Sequence, residues 1–442
     1  MSTVTDPLRP EATTAGNYFV ANYPPFSFWR PERRGEVEAA LALPPAQTPL
    51  GVYVHLPFCR KRCHFCYFKV YTGKEAKPDR VARYLNAVLA EAQIYSRQPL
   101  ISGRRPRYVY FGGGTPSFLS PEQLATLFDG LRAVMPWDDV EEVTFECEPG
   151  TLNEDKLDAL RRLGVTRLSL GVENFSDDVL KSNGRAHLSR EIFRSYEYAR
   201  QIGFRQINID LIAGMLNETE ENWRDCVRRT IALAPECVTI YQMEIPFNTT
   251  IYQEMHARGE VTAPVADWPT KRRWVSEAFD ELERAGYAVT SAYTAVRDPR
   301  QFRFLYRDYL WTGADMVSLG VSSFGHFQGV HYQNEKDFGP YVERLERGEL
   351  PIHRALTMTD EEKFLRELLL QFKLGAVDRR YFERKFAIDP GTRFAEPLAR
   401  LEAAGFLLRG ETCLTLTRAG LLRVDELLHE FFLPQHLNAR YT

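Results

Sequence analysis

Six short apolar runs alternate with stretches of helical period through the first 250 residues of this chain. The runs fall at 51–56, 108–111, 143–146, 167–172, 207–212 and 238–243, each bounded by Gly, Pro or charged turns. Short apolar runs so bounded are the pattern of buried parallel strands. Helical patterns lie between them, near 80–96, 154–163, 190–202 and 220–233. Another opens at Ser120-Pro121-Glu122-Gln123, with Ser as N-cap, Pro at the first helical position and Gln three residues on. Strands alternating with helices predict an α/β fold with a parallel sheet. Right-handed crossovers curl six such units into a partial (β/α)6 TIM-like barrel, and a doubly wound sheet is the competing architecture. In either one the ligand site lies at the carboxyl ends of the strands.

The rest of the chain divides around that core. Residues 1–16 are polar and read as a disordered leader. Residues 17–50 form an arm rich in aromatics (Tyr18, Phe19, Tyr23, Phe26, Phe28, Trp29), either packed on the core or closing over a pocket as a lid. The barrel core spans 51–250. An extension at 251–350 holds an amphipathic helix at 271–286 and a Gly/Ser-rich return to the sheet at 315–334. Residues 351–442 read as helices, a short hairpin near 406–416 and a closing helix, an order resembling a winged helix.

Net charge is −3, so nothing at this level points to bulk attraction to nucleic acid or an anionic membrane, though local basic spots such as Arg60-Lys61-Arg62 exist. No apolar run approaches the ~20 residues that span a bilayer, and no signal peptide opens the chain. The expected location is the cytoplasm, where clustered thiols bind metal or do redox chemistry rather than form disulfides.

Three of the seven cysteines, Cys59, Cys63 and Cys66, are spaced Cys-x3-Cys-x2-Cys directly after the first strand. Soft thiolates suit an iron–sulfur cluster or zinc. Three cysteines on a four-iron cubane leave one iron open to a chelating ligand. The zinc alternative needs His64 or His55 as a fourth ligand, and no second ligand pair stands nearby in the sequence. Cys226 and Cys413 fall in apolar patterns and read as small core residues. Gly112-Gly113-Gly114-Thr115 follows the second strand, where missing Cβ atoms let backbone approach a ligand and amides meet its carboxylate or amine. Glu146, Glu173, Asp210 and Met243-Glu244 sit at or near the ends of later strands, so they converge on one pocket.

The cysteine loop with Tyr110 to Pro116 resembles the radical S-adenosylmethionine superfamily. Tyr53 to Cys59, Arg167 to Glu173, Asn208 to Gly214 and Gly320 to Ser323 resemble, more narrowly, the oxygen-independent coproporphyrinogen III oxidase (HemN-like) family. The resemblance covers about residues 17–435 and extends to a C-terminal HemN-like helical domain. It implies a [4Fe–4S] cluster on the three cysteines and S-adenosylmethionine cleaved reductively to a 5′-deoxyadenosyl radical. It also implies a second S-adenosylmethionine beside the first. By matching positions, Tyr53, Gly113 and Glu146 would hold the first molecule, with Gly112 a further cofactor-binding candidate. Phe65, Gly114, Thr115, Glu173, Arg185, Asp210 and Met243 would face the second. Tyr53, Glu146, Arg185 and Asp210 are the catalytic candidates among them. The implied partners are a planar or conjugated small molecule and an electron donor such as flavodoxin or ferredoxin. Three departures bear on the reaction: Phe68 stands where the oxidases carry a further cysteine, Glu173 replaces Gln, and Met243-Glu244-Ile245-Pro246 replaces Ala-His-Leu-Pro. They favour methyl transfer or cyclopropanation over decarboxylation of coproporphyrinogen III. A heme chaperone without turnover is the reading from a different class.

Overall fold

The computed structural model describes residues 23–260, 262–437 and 439. The leader, Tyr18 and Phe19 lie outside them. Twelve strands form one sheet. The first six are β1 (Leu50–Leu56), β2 (Pro106–Gly113), β3 (Glu142–Cys147), β4 (Arg167–Glu173), β5 (Gln206–Ala213) and β6 (Cys237–Gln242). They stand side by side in chain order and all pair in parallel. Strictly sequential order excludes the doubly wound alternative, in which the strand order reverses part-way. The partial barrel is therefore the architecture.

The expected helices form with small shifts: Pro78–Ser96, Pro121–Val134, Glu154–Arg162, Ser189–Gln201 and Glu220–Leu233. At Ser120 both halves of the capping box are made: Gln123 N donates to Ser120 Oγ at 3.2 Å, and Ser120 N donates to Gln123 Oε1 at 2.9 Å. Helix faces and strand faces share one continuous apolar core, with Val54, Phe111, Phe145, Leu168, Ile209 and Val238 at its centre.

Beyond β6 the sheet gains β7 (Ala288–Val289), β8 (Thr294–Val296), β9 (Asp315–Leu319), β10 (Phe324–Phe327), β11 (Val330–Asn334) and β12 (Ile352–Thr357). β8 runs antiparallel to β6 at one edge, and β9 is parallel to β1 at the other, so 315–334 does return to the sheet. Buried Glu91, on the helix after the cysteine loop, ties that return in place. It accepts from Gly320 N, Asn334 Nδ2 and Tyr341 Oη at 2.5–2.8 Å. Burial pushes its carboxyl up to about 8 despite these bonds.

The described part of the aromatic arm packs rather than covers a pocket. Trp29 stacks on His331 at 5.0 Å, Phe26 on Phe324 at 4.5 Å, and buried Tyr23 meets Phe432 and His436. None of its residues lines the central cavity described below. Tyr23 joins the arm to the C-terminal region, whose separate core centres on Phe364, Leu368, Phe372 and Leu398. That region holds helices Asp360–Phe372, Arg379–Phe386 and Ala395–Ala403 and a small sheet of β13 (Ala376–Asp378), β14 (Leu407–Arg409) and β15 (Cys413–Leu416). No helix of the described residues is long and apolar enough to cross a membrane.

Candidate active site

β1 ends at Leu56 and releases the cysteine loop over the carboxyl end of the barrel. Backbone bonds shape that loop: Cys59 N donates to Tyr71 O, Tyr71 N to Pro57 O, and His64 N to Asn183 O. Arg60 fixes it to β3 and beyond, bonding Glu148 and the Ala186 carbonyl, while Arg62 holds the carbonyls of Cys66 and Asn248. Glu148 in turn meets His187 Nδ1 at 2.9 Å. Cys59, Cys63 and Cys66 all line one cavity, the mouth of the barrel.

Those three thiols are within electrostatic reach of one another. Burial pushes Cys59 up to about 12 and Cys66 up to about 11. Loading a metal group there therefore releases protons. Thr115 Oγ1 donates to Cys59 Sγ at 3.2 Å and Arg185 Nη1 to Cys63 Sγ at 3.2 Å. Among the described residues no three His, Cys, Asp or Glu side chains are grouped as ligands of one metal ion. His64 places Nδ1 on the Ser182 carbonyl and His55 places its own on Tyr53 Oη, and neither lines the cavity that the three cysteines share, so the zinc alternative lacks its fourth ligand there. Three separated thiols with no fourth ligand fit a multi-iron cluster better than one tetrahedral ion.

The glycine run is required by packing against the protein itself. A Cβ on Gly114 would lie 2.8–2.9 Å from the backbone of Pro57 and Leu56, and one on Gly113, whose φ is +112°, would meet the His55 ring. The amides expected to face a ligand are already used. Gly113 N donates to Glu146 Oε2, Gly114 N to Leu56 O, and Thr115 N to Phe58 O. The run thus clamps the cysteine loop to β2. Gly112 does not line the cavity; its Cα faces Tyr110 and Glu146.

Three of the seven acidic residues that line the cavity come from β3, β4 and β5. Glu146 accepts from Tyr110 Oη at 2.6 Å, and burial pushes it up to about 7. Glu173 stands at a bulge in the β4–β5 register with φ of +63°, a strained position for a side chain with a Cβ. It pairs with Arg185 at 3.6 Å, and burial pushes it up to about 7 as well. Asp210 accepts from Ser169 Oγ at 2.8 Å and Asn208 Nδ2 at 2.9 Å, with burial raising its carboxyl too. Phe65, Gly113, Gly114, Thr115, Arg185 and Met243 also line the space. Tyr53 does not. Its ring lies against Tyr110 and Tyr306, and its hydroxyl is spent on His55, one layer below the lining.

Several lining groups carry no signal in a linear reading. Leu421 to Glu426 come from the C-terminal region, and Trp268, Tyr293 and Phe304 from the extension. Arg167, from the start of β4, reaches the cavity floor over the Phe304 ring. It appears in the family motif, yet nothing in its spacing marks it as a site residue.

Residues 53–230 match the family model of the radical SAM superfamily. The chain carries a radical SAM domain. A [4Fe–4S] cluster and S-adenosylmethionine are the cofactors of that domain, and the chain as a whole is similar to HemN-like proteins. The radical SAM chain is 29% identical over 419 residues to the oxygen-independent coproporphyrinogen III oxidase of Pseudomonas aeruginosa, covering 90% of this chain and 89% of that one. To the heme chaperone HemW of Bacillus subtilis it is 27% identical over 386 residues, 86% of this chain and 98% of the other. The solved structure of coproporphyrinogen III oxidase (HemN) from Escherichia coli superposes with a TM-score of 0.80 at 24% identity. The match covers 95% of this chain and 99% of that one, and it carries the fold.

Proposed function

We propose that this radical SAM enzyme holds its cluster on Cys59, Cys63 and Cys66 and takes two S-adenosylmethionine molecules in the cavity. The second donates its methyl carbon to a conjugated acceptor, as methylation or cyclopropanation. The observation that carries this reading is the trio of half-buried carboxylates Glu146, Glu173 and Asp210, all lining the cavity and within electrostatic reach of one another. A carboxylate accepts both hydroxyls of a ribose, and two nucleosides need more than one such acceptor. A cluster held by Cys59, Cys63 and Cys66 would supply the one electron for reductive cleavage of S-adenosylmethionine. The chain's own groups do the rest. Tyr110 and Gly113 N orient Glu146, Ser169 and Asn208 orient Asp210, and Arg185 bridges Cys63 and Glu173. Leu421 to Glu426 line the cavity from the C-terminal region.

The departures at Phe68 and at Met243 to Pro246 favour this reading over decarboxylation. Four of the six lining arginines are engaged by acids, while Arg62 and Arg167 make no ion pair among the described residues. Arg60 pairs with Glu148, Arg185 with Glu173, and both Arg272 and Arg423 with Glu426. The oxidase reading keeps one support, the similarity over most of the chain to oxidases of that name. The decisive assay is anaerobic, with reconstituted protein, dithionite and methyl-labelled S-adenosylmethionine, with and without coproporphyrinogen III. The expected result is 5′-deoxyadenosine without porphyrinogen decarboxylation. Porphyrinogen-dependent release of carbon dioxide would hand the site to the oxidase reading. Tight heme binding without any 5′-deoxyadenosine would remove both in favour of a chaperone.

Thr115 offers a test of the cluster ligands that needs no substrate. Hydrogen bonds to cluster sulfurs raise its reduction potential. Thr115→Val removes the hydroxyl that meets Cys59. One hydrogen bond of about 1 kcal/mol corresponds to roughly 40 mV for one electron. The variant's midpoint, read by potentiometric EPR titration, is expected lower by about that much. An unchanged potential would mean that Cys59 is not a ligand in this arrangement.

A further inference from the structure

The helix Trp268–Arg284 packs against β5 and β6. Lys271 is the one charged residue among its buried side chains. It is 0% exposed and does not line the cavity. Its stem lies against Gly214, just past β5, where a Cβ would sit 2.6 Å from the lysine Cγ and Cδ. Gly214 has a φ of +89°, and the amides of Gly214 and Met215 both donate to Glu218, which fixes the turn that makes this groove.

The ammonium has two partners, and both line the cavity. Nζ donates to the Met243 carbonyl at 2.7 Å and lies 3.6 Å from the centre of the Trp268 ring. Among the described residues Lys271 makes no ion pair. The charges that face it act from further off: Glu244 beyond β6, with Asp267 and Arg272 on its own helix. Glu218 stands behind the Gly214 turn. A buried ammonium without a carboxylate is unfavourable, and burial lowers Lys271 to about 7. A methionine would fill the same groove without that cost, so packing alone does not account for the amine.

What the amine adds is a removable charge behind the wall. Its neutral form still has N–H groups for the Met243 carbonyl, so the wall keeps its shape in both states. S-adenosylmethionine carries a sulfonium. A protonated Lys271 behind Met243 repels that charge in a poorly screened interior, and a neutral one does not. We propose that Lys271 positions Met243 and Trp268 and links the second S-adenosylmethionine to a proton: the amine gives up its proton as that cation binds. One N–H bond breaks, its electron pair stays on nitrogen, and the proton leaves to solvent. This rests on the two-molecule reading above.

The test uses the full reconstituted chain without reductant, so that the probe, S-adenosylmethionine, stays intact. Cluster content is checked by iron and absorbance, and folding by circular dichroism. Stoichiometry and affinity are measured by equilibrium dialysis for wild type and Lys271→Met. A group that titrates near 7 in the free chain and is neutral in the complex makes second-site affinity rise about tenfold from about pH 6 to about pH 8. Glu146, Glu173 and the ligand's own amino group titrate in the same range. Both proteins share them, so the difference between the two profiles reads the lysine. The expected result is that tenfold excess in wild type. Wild type should also release about half a proton more at about pH 7, by calorimetry in buffers of different ionisation enthalpy. Parallel profiles would overturn the proposal, and so would equal weakening by Lys271→Met at every pH, which lost packing alone would give. If Lys271→Met does not fold, Lys271→Arg, charged throughout this range, replaces it and is expected to lose the wild-type rise. If wild type binds one molecule only, the two-molecule reading is what fails; whether proton release on binding that molecule depends on Lys271 then still decides the linkage.

Discussion

Cys63→Ala is expected to fold, to lose the [4Fe–4S] cluster and to cleave no S-adenosylmethionine. The loop around residue 63 is held by contacts that do not involve its thiol. His64 N bonds Asn183 O, Ile251 N bonds His64 O, and Arg62 bonds two carbonyls. Folding therefore survives. The thiol itself has no understudy: among the remaining cysteines only Cys147 reaches the cavity, and it is buried against the Phe145 carbonyl on β3. Losing an outer partner of a metal site costs 10–100-fold, so losing a ligand should exceed ~100-fold in 5′-deoxyadenosine formation. Arg185 would also lose the sulfur it now meets at 3.2 Å, leaving a buried guanidinium with Glu173 and the Gly171 carbonyl. Iron analysis, the visible spectrum and product counts report the three expectations separately. A variant with a full cluster spectrum and wild-type turnover would defeat the cysteine triad.

Asp210→Asn should separate the two nucleoside positions. The amide keeps the volume of the carboxyl and its place between Ser169 and Asn208, but it loses the charge that a ribose diol or a sulfonium would use. Hydrogen bonds to a charged group are worth about 1.5–3 kcal/mol, so affinity for the second S-adenosylmethionine should fall by about 10–100-fold. Cluster content and single-turnover cleavage at the first site should stay close to wild type, because Asp210 touches no cysteine. Binding stoichiometry and the dependence of methyl-label transfer on S-adenosylmethionine concentration are the measurements. Unchanged label transfer at limiting concentration would exclude Asp210 from that role.

Much of this was legible in the linear chain because it is local. The period of the apolar runs marks six strands, the Ser120 capping box marks a helix start, and a cysteine loop after β1 must fall at the carboxyl end of a parallel barrel. Glu146, Glu173 and Asp210 follow by the same rule, since alternate strand residues point inward and strand ends meet around one mouth. What the glycines do was not legible. Their absent Cβ atoms and their amides serve the neighbouring loop, a contact between segments more than 50 residues apart. Tyr53 was misplaced for a related reason: residue spacing places it on β1 but does not say that His55 takes its hydroxyl.

The amino-acid sequence by itself determined the alternation of strands and helices, the placement of the cysteine loop after β1 and the acids at the strand ends. Each depends on spacing along one segment or on a short motif. Only the tertiary structure decided that Leu421 to Glu426 and Arg167 line the cavity, and that the described part of the aromatic arm packs on β10, β11 and the C-terminal region instead of lining it. These are contacts between chain segments up to hundreds of residues apart. They are set by which apolar faces bury each other, and that packing has no periodic trace in sequence.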